Sequence, residues 1–228
     1  YGISTAEDKI FNLLYDPSDQ TVVVPSSPVY LAGLEKTVSR DEDGRTVISF
    51  TDALGREVLS RQLDGTDQRS GLDTYTVYDG AGRPVWVISP KGSDLLASAS
   101  TYETSSTLAL EWSTIYRYDS FGRMTERKLP GRGTEYYVYD AGDRLLLYQD
   151  GNLRADGNRW IYRVYDRFGR EIEKTVVVPV NPSMDVEQIR NLFSDVQYLY
   201  PGLSGVADYR IPVSSQTFTF DRSLSSVR

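Results

Sequence analysis

The sequence predicts a mainly β protein, in which consecutive antiparallel β-hairpins form a curved or spiral sheet with a few short helices. Two observations lead to this prediction. A short motif, Tyr-Asp-x-x-Gly-Arg, recurs through the middle of the chain. A run rich in Tyr, Thr, Val and Ile, the residues that favour strands, precedes nearly every copy. Because turn residues alternate with strand residues in this way, each copy indicates one hairpin.

The motif occurs five times, and its Asp residues are separated by 27, 40, 21 and 26 positions. Such intervals correspond to a supersecondary unit of a few tens of residues, with an insertion in the longest one. Thr51 replaces Tyr in the first copy, and Asp143 replaces Gly in the fourth. The residues that we expect to form the turns are Asp52, Gly55, Arg56, Tyr78, Asp79, Gly82, Arg83, Tyr118, Asp119, Gly122, Arg123, Tyr139, Asp140, Arg144, Tyr165, Asp166, Gly169 and Arg170.

Each residue of the motif has a role in a hairpin turn. The Asp side chain can accept backbone N–H groups from the residues that follow it. The Gly supplies the positive φ that closes a type I turn with a bulge, and Asp at position 143 tolerates that conformation better than most residues do. The Arg flanks the same turn as the Asp and can lie across a neighbouring Tyr ring, a contact of on the order of 1 kcal/mol. We therefore predict structural rather than catalytic roles for these residues.

The flanking segments follow the same pattern. Predicted strands before the turns cover 73–78, 113–118, 135–139 and 160–165, and predicted strands after the turns cover 57–63, 84–89, 124–129, 145–148 and 171–177. Return turns are predicted at 130–133, 150–152 and 155–158, where Gly, Pro, Asp and Asn cluster.

Outside the repeats the pattern changes. Apolar residues at helical spacing predict a helix over about 184–196. Further helix candidates are Thr5 to Leu14 and Ser105 to Trp112, and the second would explain the longest interval between repeats. Thr217 to Phe220 alternates as a strand does. We therefore divide the chain into an N-terminal segment (1–40), a repeat region (41–174) and a C-terminal segment (175–228), whose tail from 222 could be disordered.

Composition excludes several classes of function. The 228 residues include neither Cys nor His, and the formal net charge is −7. The chain therefore cannot form a disulfide, a Ser-His-Asp triad or a zinc site of thiolate and imidazole ligands. An acidic chain without a basic cluster argues against nucleic-acid binding. The apolar runs are far shorter than the ~20 residues of a membrane span, so we expect no membrane insertion.

The acidic pairs have a simpler explanation than catalysis. Asp41 with Asp43, and Asp150 with Asp156, could be read as glycosidase carboxylates, but each pair adjoins a Gly, which favours turns. A calcium loop that starts at Asp150 would place Ile161 where a bidentate Glu is needed. We predict no catalytic residue, no metal site and no cofactor.

The aromatic content leaves one alternative open. The chain has 17 Tyr and 3 Trp, and a sheet face lined with such rings could stack on sugars. Tyr is also a common filler of half-buried strands, with its hydroxyl reaching water. A carbohydrate-binding face needs exposed, coplanar rings, whereas a packing role buries them.

The repeated motifs resemble the YD repeats of the Rhs family, and the order of segments is similar to that in long Bacteroidetes surface or secreted proteins. The resemblance covers about residues 41–174 and includes the segments Leu72 to Asp79 and Lys128 to Asp140. Related YD repeats build a spiral of antiparallel strands that wraps into a hollow shell around a toxic C-terminal domain.

The resemblance implies a non-catalytic shell or interaction segment of a larger secreted or cell-surface protein. Its expected partners are other segments of the parent polypeptide or another protein, and a link to toxin delivery stays open. The family's self-cleaving Asp-Pro-x-Gly signature is not matched, because the nearest string is Asp16-Pro-Ser-Asp19. No cleavage site is carried over, and carbohydrate binding remains the alternative function.

Overall fold

A computed structural model of the chain describes residues 1–27, 29–63, 71–166, 168–181, 183–193 and 218–221. Its strands pair in antiparallel fashion, which confirms the predicted fold class. The chain divides into two compact units, one made of residues 1–116 and 128–132 and the other of residues 117–127 and 133–228. The division into segments 1–40, 41–174 and 175–228 stays a prediction.

The first unit contains most of the short elements. Its strands are β1 (Gly2–Ile3), β2 (Ile10–Phe11), β3 (Leu14–Asp16), β4 (Thr21–Val23), β5 (Tyr30–Leu31), β6 (Glu35–Arg40), β7 (Thr46–Thr51), β8 (Glu57–Leu63), β9 (Gly71–Tyr78), β10 (Pro84–Ile88), β11 (Thr101–Tyr102) and most of β12 (Ser113–Tyr118). Its helices are α1 (Pro90–Ser93) and α2 (Thr107–Trp112). The main sheet has the order β1-β6-β7-β8-β9-β10-β12, and two small sheets have the orders β11-β4-β3 and β2-β5.

The second unit contains the later repeats. Its strands are β13 (Met124–Lys128, the last residue of which belongs to the first unit), β14 (Glu135–Tyr139), β15 (Leu145–Gln149), β16 (Trp160–Tyr165), β17 (Glu171–Pro179) and β18 (Phe218–Asp221). They are adjacent in chain order. Its helices are α3 (Gly151–Ala155) and α4 (Val186–Phe193).

The core of the first unit lies on one face of its main sheet. Direct pairing of Phe50 with Leu59, of Leu59 with Tyr75 and of Tyr75 with Ile88 places these buried side chains in one row across four strands. The N-terminal segment packs on this face, because the Phe11 N–H donates to Tyr75 Oη at 3.2 Å.

A buried arginine fastens the same segment. The Arg61 guanidinium donates to both carboxylate oxygens of Asp73, at 2.6 and 2.7 Å, and to the Asp8 carbonyl at 3.0 Å. The Asp8 carboxylate in turn accepts from Lys36 Nζ at 2.9 Å. Because a buried charge without a partner is costly, this network holds the N-terminal segment to strands β8 and β9.

The core of the second unit lies between its sheet and α4. Buried side chains from β14 to β18 and from α4 form one cluster, namely Val138, Leu146, Leu147, Trp160, Tyr162, Val177, Ile189, Phe193 and Phe218. Arg190 also ties the helix to β13, since its Nη2 donates to the Thr125 carbonyl at 2.9 Å and to the Glu126 carboxylate at 3.2 Å.

Two predicted helices are observed. Helix α2 lies within the predicted 105–112 and is capped by Ser106, whose Oγ accepts from the Ala109 N–H. With α1 and β11 it fills the longest interval between repeats. Helix α4 lies within the predicted 184–196; residues 194–196, Thr217 and the tail from 222 lie outside the described residues. The strand predicted at 217–220 is observed as β18.

Two local predictions are wrong. Residues 5–14 form a single 3-10 turn (Ala6–Asp8) followed by β2 and the start of β3, because Lys9, with φ of 52°, ends the turn in the left-handed conformation. The predicted return turn at 150–152 is the start of α3. Asp150 caps that helix by accepting the Leu153 N–H at 2.8 Å.

Within the described ranges, none of the helices is both long and apolar enough to cross a membrane.

Candidate functional site

The repeat turns, defined as residues 52–56, 79–83, 119–123, 140–144 and 166–170, share one backbone geometry. In each turn the Asp N–H donates to the Arg carbonyl at 2.9–3.0 Å, and the N–H three residues after the Asp donates back to the Asp carbonyl at 2.9–3.2 Å. The strand pairing shifts by one residue beside the turns at 52–56, 79–83, 140–144 and 166–170. These four turns therefore close as bulged hairpins.

The Asp carboxylate is the centre of each turn. Its Oδ1 accepts the backbone N–H groups two and four residues ahead, at 2.8–3.0 Å. Its Oδ2 accepts Nε of the Arg of the same turn at 2.6–2.9 Å. One side chain thus satisfies two backbone donors and a guanidinium, which explains why Asp and Arg recur four residues apart.

The fourth position of each turn has a left-handed backbone. Gly55, Gly82, Gly122 and Gly169 have φ between 78° and 84°, and Asp143 has φ of 63°. The substitution at 143 adds a contact, because Asp143 Oδ1 accepts from Arg123 Nη1 at 3.0 Å. The exception to the motif therefore forms an ion pair between neighbouring turns.

The Tyr residues join one turn to the preceding one. The hydroxyl of Tyr78 donates to the Glu57 carbonyl at 2.9 Å, and those of Tyr139 and Tyr165 donate to Met124 and Leu145 at 2.9 and 2.8 Å. Each acceptor is the residue that directly follows the Arg of the preceding turn.

The Arg of the preceding turn covers the same Tyr ring. The guanidinium carbons of Arg56, Arg123 and Arg144 lie 4.9, 5.1 and 5.2 Å from the ring centroids of the three tyrosines. We call this combination of hydroxyl bond and guanidinium–ring contact the Tyr–Arg clamp. It occurs between turns 52–56 and 79–83 in the first unit, and along turns 119–123, 140–144 and 166–170 in the second. The other motif residues lie as follows: Tyr118 is the last residue of β12, and Arg83 and Arg170 each bind the Asp of their own turn.

Sequence analysis missed a sixth turn of this kind. At residues 41–45 the Asp41 N–H donates to the Arg45 carbonyl at 2.9 Å, Gly44 donates to the Asp41 carbonyl at 3.1 Å, and Asp41 Oδ1 accepts the Arg45 N–H at 2.7 Å. The spacing Asp-x-x-Gly-Arg was visible in the sequence. Arg40 stands where the motif has Tyr, so this turn lacks the residue that would form a clamp.

Hydrogen bonds outweigh burial in setting the pKa of four turn carboxylates. Burial alone would raise the pKa of Asp52, Asp79, Asp119 and Asp166, but the bonds from Arg and from backbone N–H groups bring each pKa below its usual value. Burial raises the pKa of the clamp tyrosines, Tyr78, Tyr139 and Tyr165. These four carboxylates therefore stay acceptors, and these three hydroxyls stay donors, near neutral pH.

Metal binding and sugar binding find little support in the described residues. They contain no group of three or more acidic side chains that could hold a metal ion. Trp86 and Trp160 are buried, and the half-buried rings of Tyr137 and Tyr148, 5.4 Å apart, are tilted by 57°. These rings do not form the coplanar platform that sugar stacking requires.

Comparison with known proteins identifies the repeat. Residues 103–134 match the RHS Repeat family, and this segment contains β12, the turn at 119–123 and β13. The chain contains an RHS repeat. The family resemblance inferred from the turns is thereby confirmed, and the RHS turn at 119–123 has the same geometry as the four turns outside the matched segment.

Solved structures similar to the chain include two described as "Crystal Structure of TcdB2-TccC3-Cdc42" and "Crystal Structure of TcdB2-TccC3". Both have 16% sequence identity and a TM-score of 0.48. The similarity covers 75% and 74% of this chain but only 9% and 8% of theirs. The RHS-repeat chain thus spans less than a tenth of the length of these structures. No curated protein matches it.

The positive φ of the turn glycines predicts a position-specific cost. Gly82→Ala should lower the free energy of unfolding by about 1–2 kcal/mol, because an added Cβ makes only an ordinary contact with Arg56 Cδ, at 4.0 Å, but the left-handed backbone disfavours it. Gly80→Ala, in the same turn but without positive φ, is the matched control and should change stability by less than about 1 kcal/mol. Urea unfolding measures the free energy of unfolding of each variant, and equal values for the two variants would contradict the turn geometry.

The lowered carboxylate pKa values predict loss of stability in acid. A group whose pKa is lower in the folded state binds more protons when the chain is unfolded. Its contribution to stability is therefore complete above its pKa in the unfolded chain, about 3.9, and is lost as pH falls through its pKa in the folded chain. The melting temperature should therefore fall steeply below about pH 4. The fall in melting temperature with pH should be shallower in Asp119→Asn than in the control Asp156→Asn, because the Asp156 carboxylate is exposed in the parent chain. Identical pH profiles would contradict this assignment.

Proposed function

We propose that the chain is a non-catalytic scaffold segment of a larger, secreted or cell-surface Rhs-type protein. The observation that carries this proposal is the Tyr–Arg clamp. The conspicuous Asp, Arg and Tyr side chains of the repeats hold turns closed and join neighbouring turns within each unit. A scaffold needs this arrangement, whereas a catalytic site would leave such groups directed at a substrate.

The partners in this proposal are other segments of the parent polypeptide or another protein. Sheets whose outer strands are only partly paired can accept further strands through their backbone groups. In the first unit β1 pairs with only two of the six residues of β6, Glu35 and Lys36. The remaining edge of β6 is therefore a candidate contact. Delivery of a toxin is one use that such a scaffold could serve.

Carbohydrate binding is the weaker proposal. Of the aromatic residues that suggested it, Trp86 and Trp160 lie in the cores. A glycan array probed with the folded chain should therefore give no specific binding. Binding that is lost in Tyr137→Ala and Tyr148→Ala variants would favour the carbohydrate proposal instead.

A scaffold should transmit damage from one hairpin to its neighbours. Tyr139→Ala removes the hydroxyl bond to Met124 and the ring beneath Arg123. We expect hydrogen exchange to accelerate at the Gly122 and Asp143 amides, in both adjoining turns, by about tenfold or more, since a loss of 1.4 kcal/mol corresponds to tenfold.

Lys174→Ala is the control for that measurement, because Lys174 is exposed on β17 of the same unit. It should leave exchange in both turns unchanged. If Tyr139→Ala accelerated exchange in its own turn alone, the hairpins would be independent and the scaffold proposal would fail.

A further inference from the structure

The first unit has an incompletely paired strand, β6, at one side of its main sheet. In the sheet order β6 lies between β1 and β7, and β7 pairs with all of it, from Glu35 to Arg40. On the opposite side, among the described residues, β1 pairs only with Glu35 and Lys36. The side of residues 37–40 that faces away from β7 is therefore open, and we call it the β6 edge.

The hydrogen bonds beside β1 show which backbone groups of the β6 edge face outward. The Ser4 N–H donates to the Leu34 carbonyl at 2.8 Å, and the Leu34 N–H donates to Ser4 Oγ at 2.9 Å. Leu34 thus turns both of its backbone groups to the β1 side. Because these groups alternate between the two sides of a strand, Lys36, Val38 and Arg40 turn theirs the same way. Strand β1 supplies a partner for Lys36 but not for Val38 or Arg40, so the backbone groups of the last two are available to a further strand.

Val38 also has an apolar side chain that one more strand would cover. It pairs with Ile48, which is fully buried, yet it is itself 44% exposed. Since side chains alternate along a strand, Val38 shares a face of the sheet with Lys36, whose Nζ lies 5.6 Å from the centroid of the buried Phe50 ring. Val38 therefore lies at the margin of the core of the first unit, and a side chain beside it would extend that core.

The direction of β1 determines which segment can reach the β6 edge. Strand β1 runs antiparallel to β6, and its register places Gly2 opposite Lys36. Followed back toward the N-terminus, β1 therefore advances along the β6 edge, with Tyr1 opposite Thr37. A strand that continues β1 beyond Tyr1 has the remaining residues of the edge in front of it.

We propose that the residues directly before Tyr1 in the parent polypeptide continue β1 and pair with the β6 edge. The first, second and third of them lie opposite Val38, Ser39 and Arg40. This pairing rests on the proposed function, in which the chain is a segment of a larger protein, and it names one partner of that segment. Continuity with β1 favours this occupant, because residues attached to a strand already in register need no further loop closure, whereas a separate chain would also lose translational freedom.

The β6 edge also specifies the side chains that suit this strand. The first residue before Tyr1 lies beside Val38 on the core face, where a β-branched or aromatic side chain fits best. The third lies beside Arg40, whose guanidinium lies against the turn at 41–45, since an added Cβ at Gly44 would be 3.2 Å from Arg40 Nη2. An acidic side chain at this position would pair with Arg40. The partner is thus an extended segment with an acidic residue two positions before an apolar one.

Amide hydrogen exchange tests the proposal by comparing the 228-residue chain with a longer chain that carries the parent's own residues before Tyr1. Exchange at the Val38 and Arg40 amides should slow by about tenfold or more in the longer chain, because these N–H groups gain carbonyl partners. The Ile161 amide, on β16 of the second unit, is the control and should exchange equally in both chains. A longer chain with Pro directly before Tyr1 lacks the N–H that would donate to the Val38 carbonyl, and it should lose the protection.

An engineered disulfide measures the register of the pairing. The 228 residues contain no Cys, so an introduced pair has no competing thiol among them. Ser39→Cys and a Cys at the second residue before Tyr1 form a pair without mutual hydrogen bonds, in which the Cα atoms of opposite residues approach most closely. Mild oxidation of the longer chain should join this pair. A Cys at the first residue before Tyr1 points to the other face of the sheet and should stay reduced in the Ser39→Cys variant.

Unchanged exchange at Val38 and Arg40 in the longer chain would overturn the inference. Protection that persists in the proline variant, or a disulfide that closes only out of register, would also overturn it, because either result assigns the β6 edge to another segment. The scaffold role would stand in each case, since its own test is the exchange response to Tyr139→Ala in the second unit.

Discussion

The Tyr–Arg clamp is the interaction on which the repeat architecture depends. A single hairpin of short strands is only marginally stable in water. The clamp adds to its backbone pairing a side-chain contact that reaches the preceding hairpin: the hydroxyl of Tyr139 bonds to the Met124 carbonyl while Arg123 covers its ring. Each such contact is small, about 1 kcal/mol. Its repetition between successive turns makes the hairpins depend on one another.

The same arrangement explains why the motif needs four residue types together. The Asp gathers the turn amides and orients the Arg, the Gly permits the backbone reversal, and the Arg, once oriented, presents its flat face to the next Tyr. The turn at 41–45 shows that the Asp and the Gly close the turn without the Tyr, because its backbone hydrogen bonds form although Arg40 stands in the Tyr position. The Tyr is needed for the contact between turns.

Local rules were sufficient for the strands and turns of the repeats, because alternation and turn chemistry are encoded within a few neighbouring residues. They failed where a distant or subtle feature decided the structure. Residues 5–14 have helical spacing, yet the left-handed Lys9 and pairing with distant strands take precedence. Asp150 caps a helix rather than forming a turn. Gly151, the next residue, lies against Gly133, where an added Cβ would be 3.1 Å from the Gly151 Cα.

The clamp itself was predicted only as a contact between Arg and a neighbouring Tyr. Its hydroxyl bond joins residues 15 to 21 positions apart, beyond the reach of a local pattern.

The most direct test of the clamp is a double-mutant cycle on Arg56 and Tyr78, whose guanidinium and ring are 4.9 Å apart. The free energies of unfolding of Arg56→Ala, Tyr78→Ala and the double variant should give a coupling energy of about 0.5–1 kcal/mol. The pair Arg56 and Tyr102 serves as the control, because the Tyr102 hydroxyl donates to the carbonyl of Leu95, seven residues before it. The effects of these two changes should be additive within about 0.5 kcal/mol. Additivity of the Arg56 and Tyr78 changes would show that backbone pairing alone holds neighbouring hairpins together, and would contradict a stabilising role for the clamp.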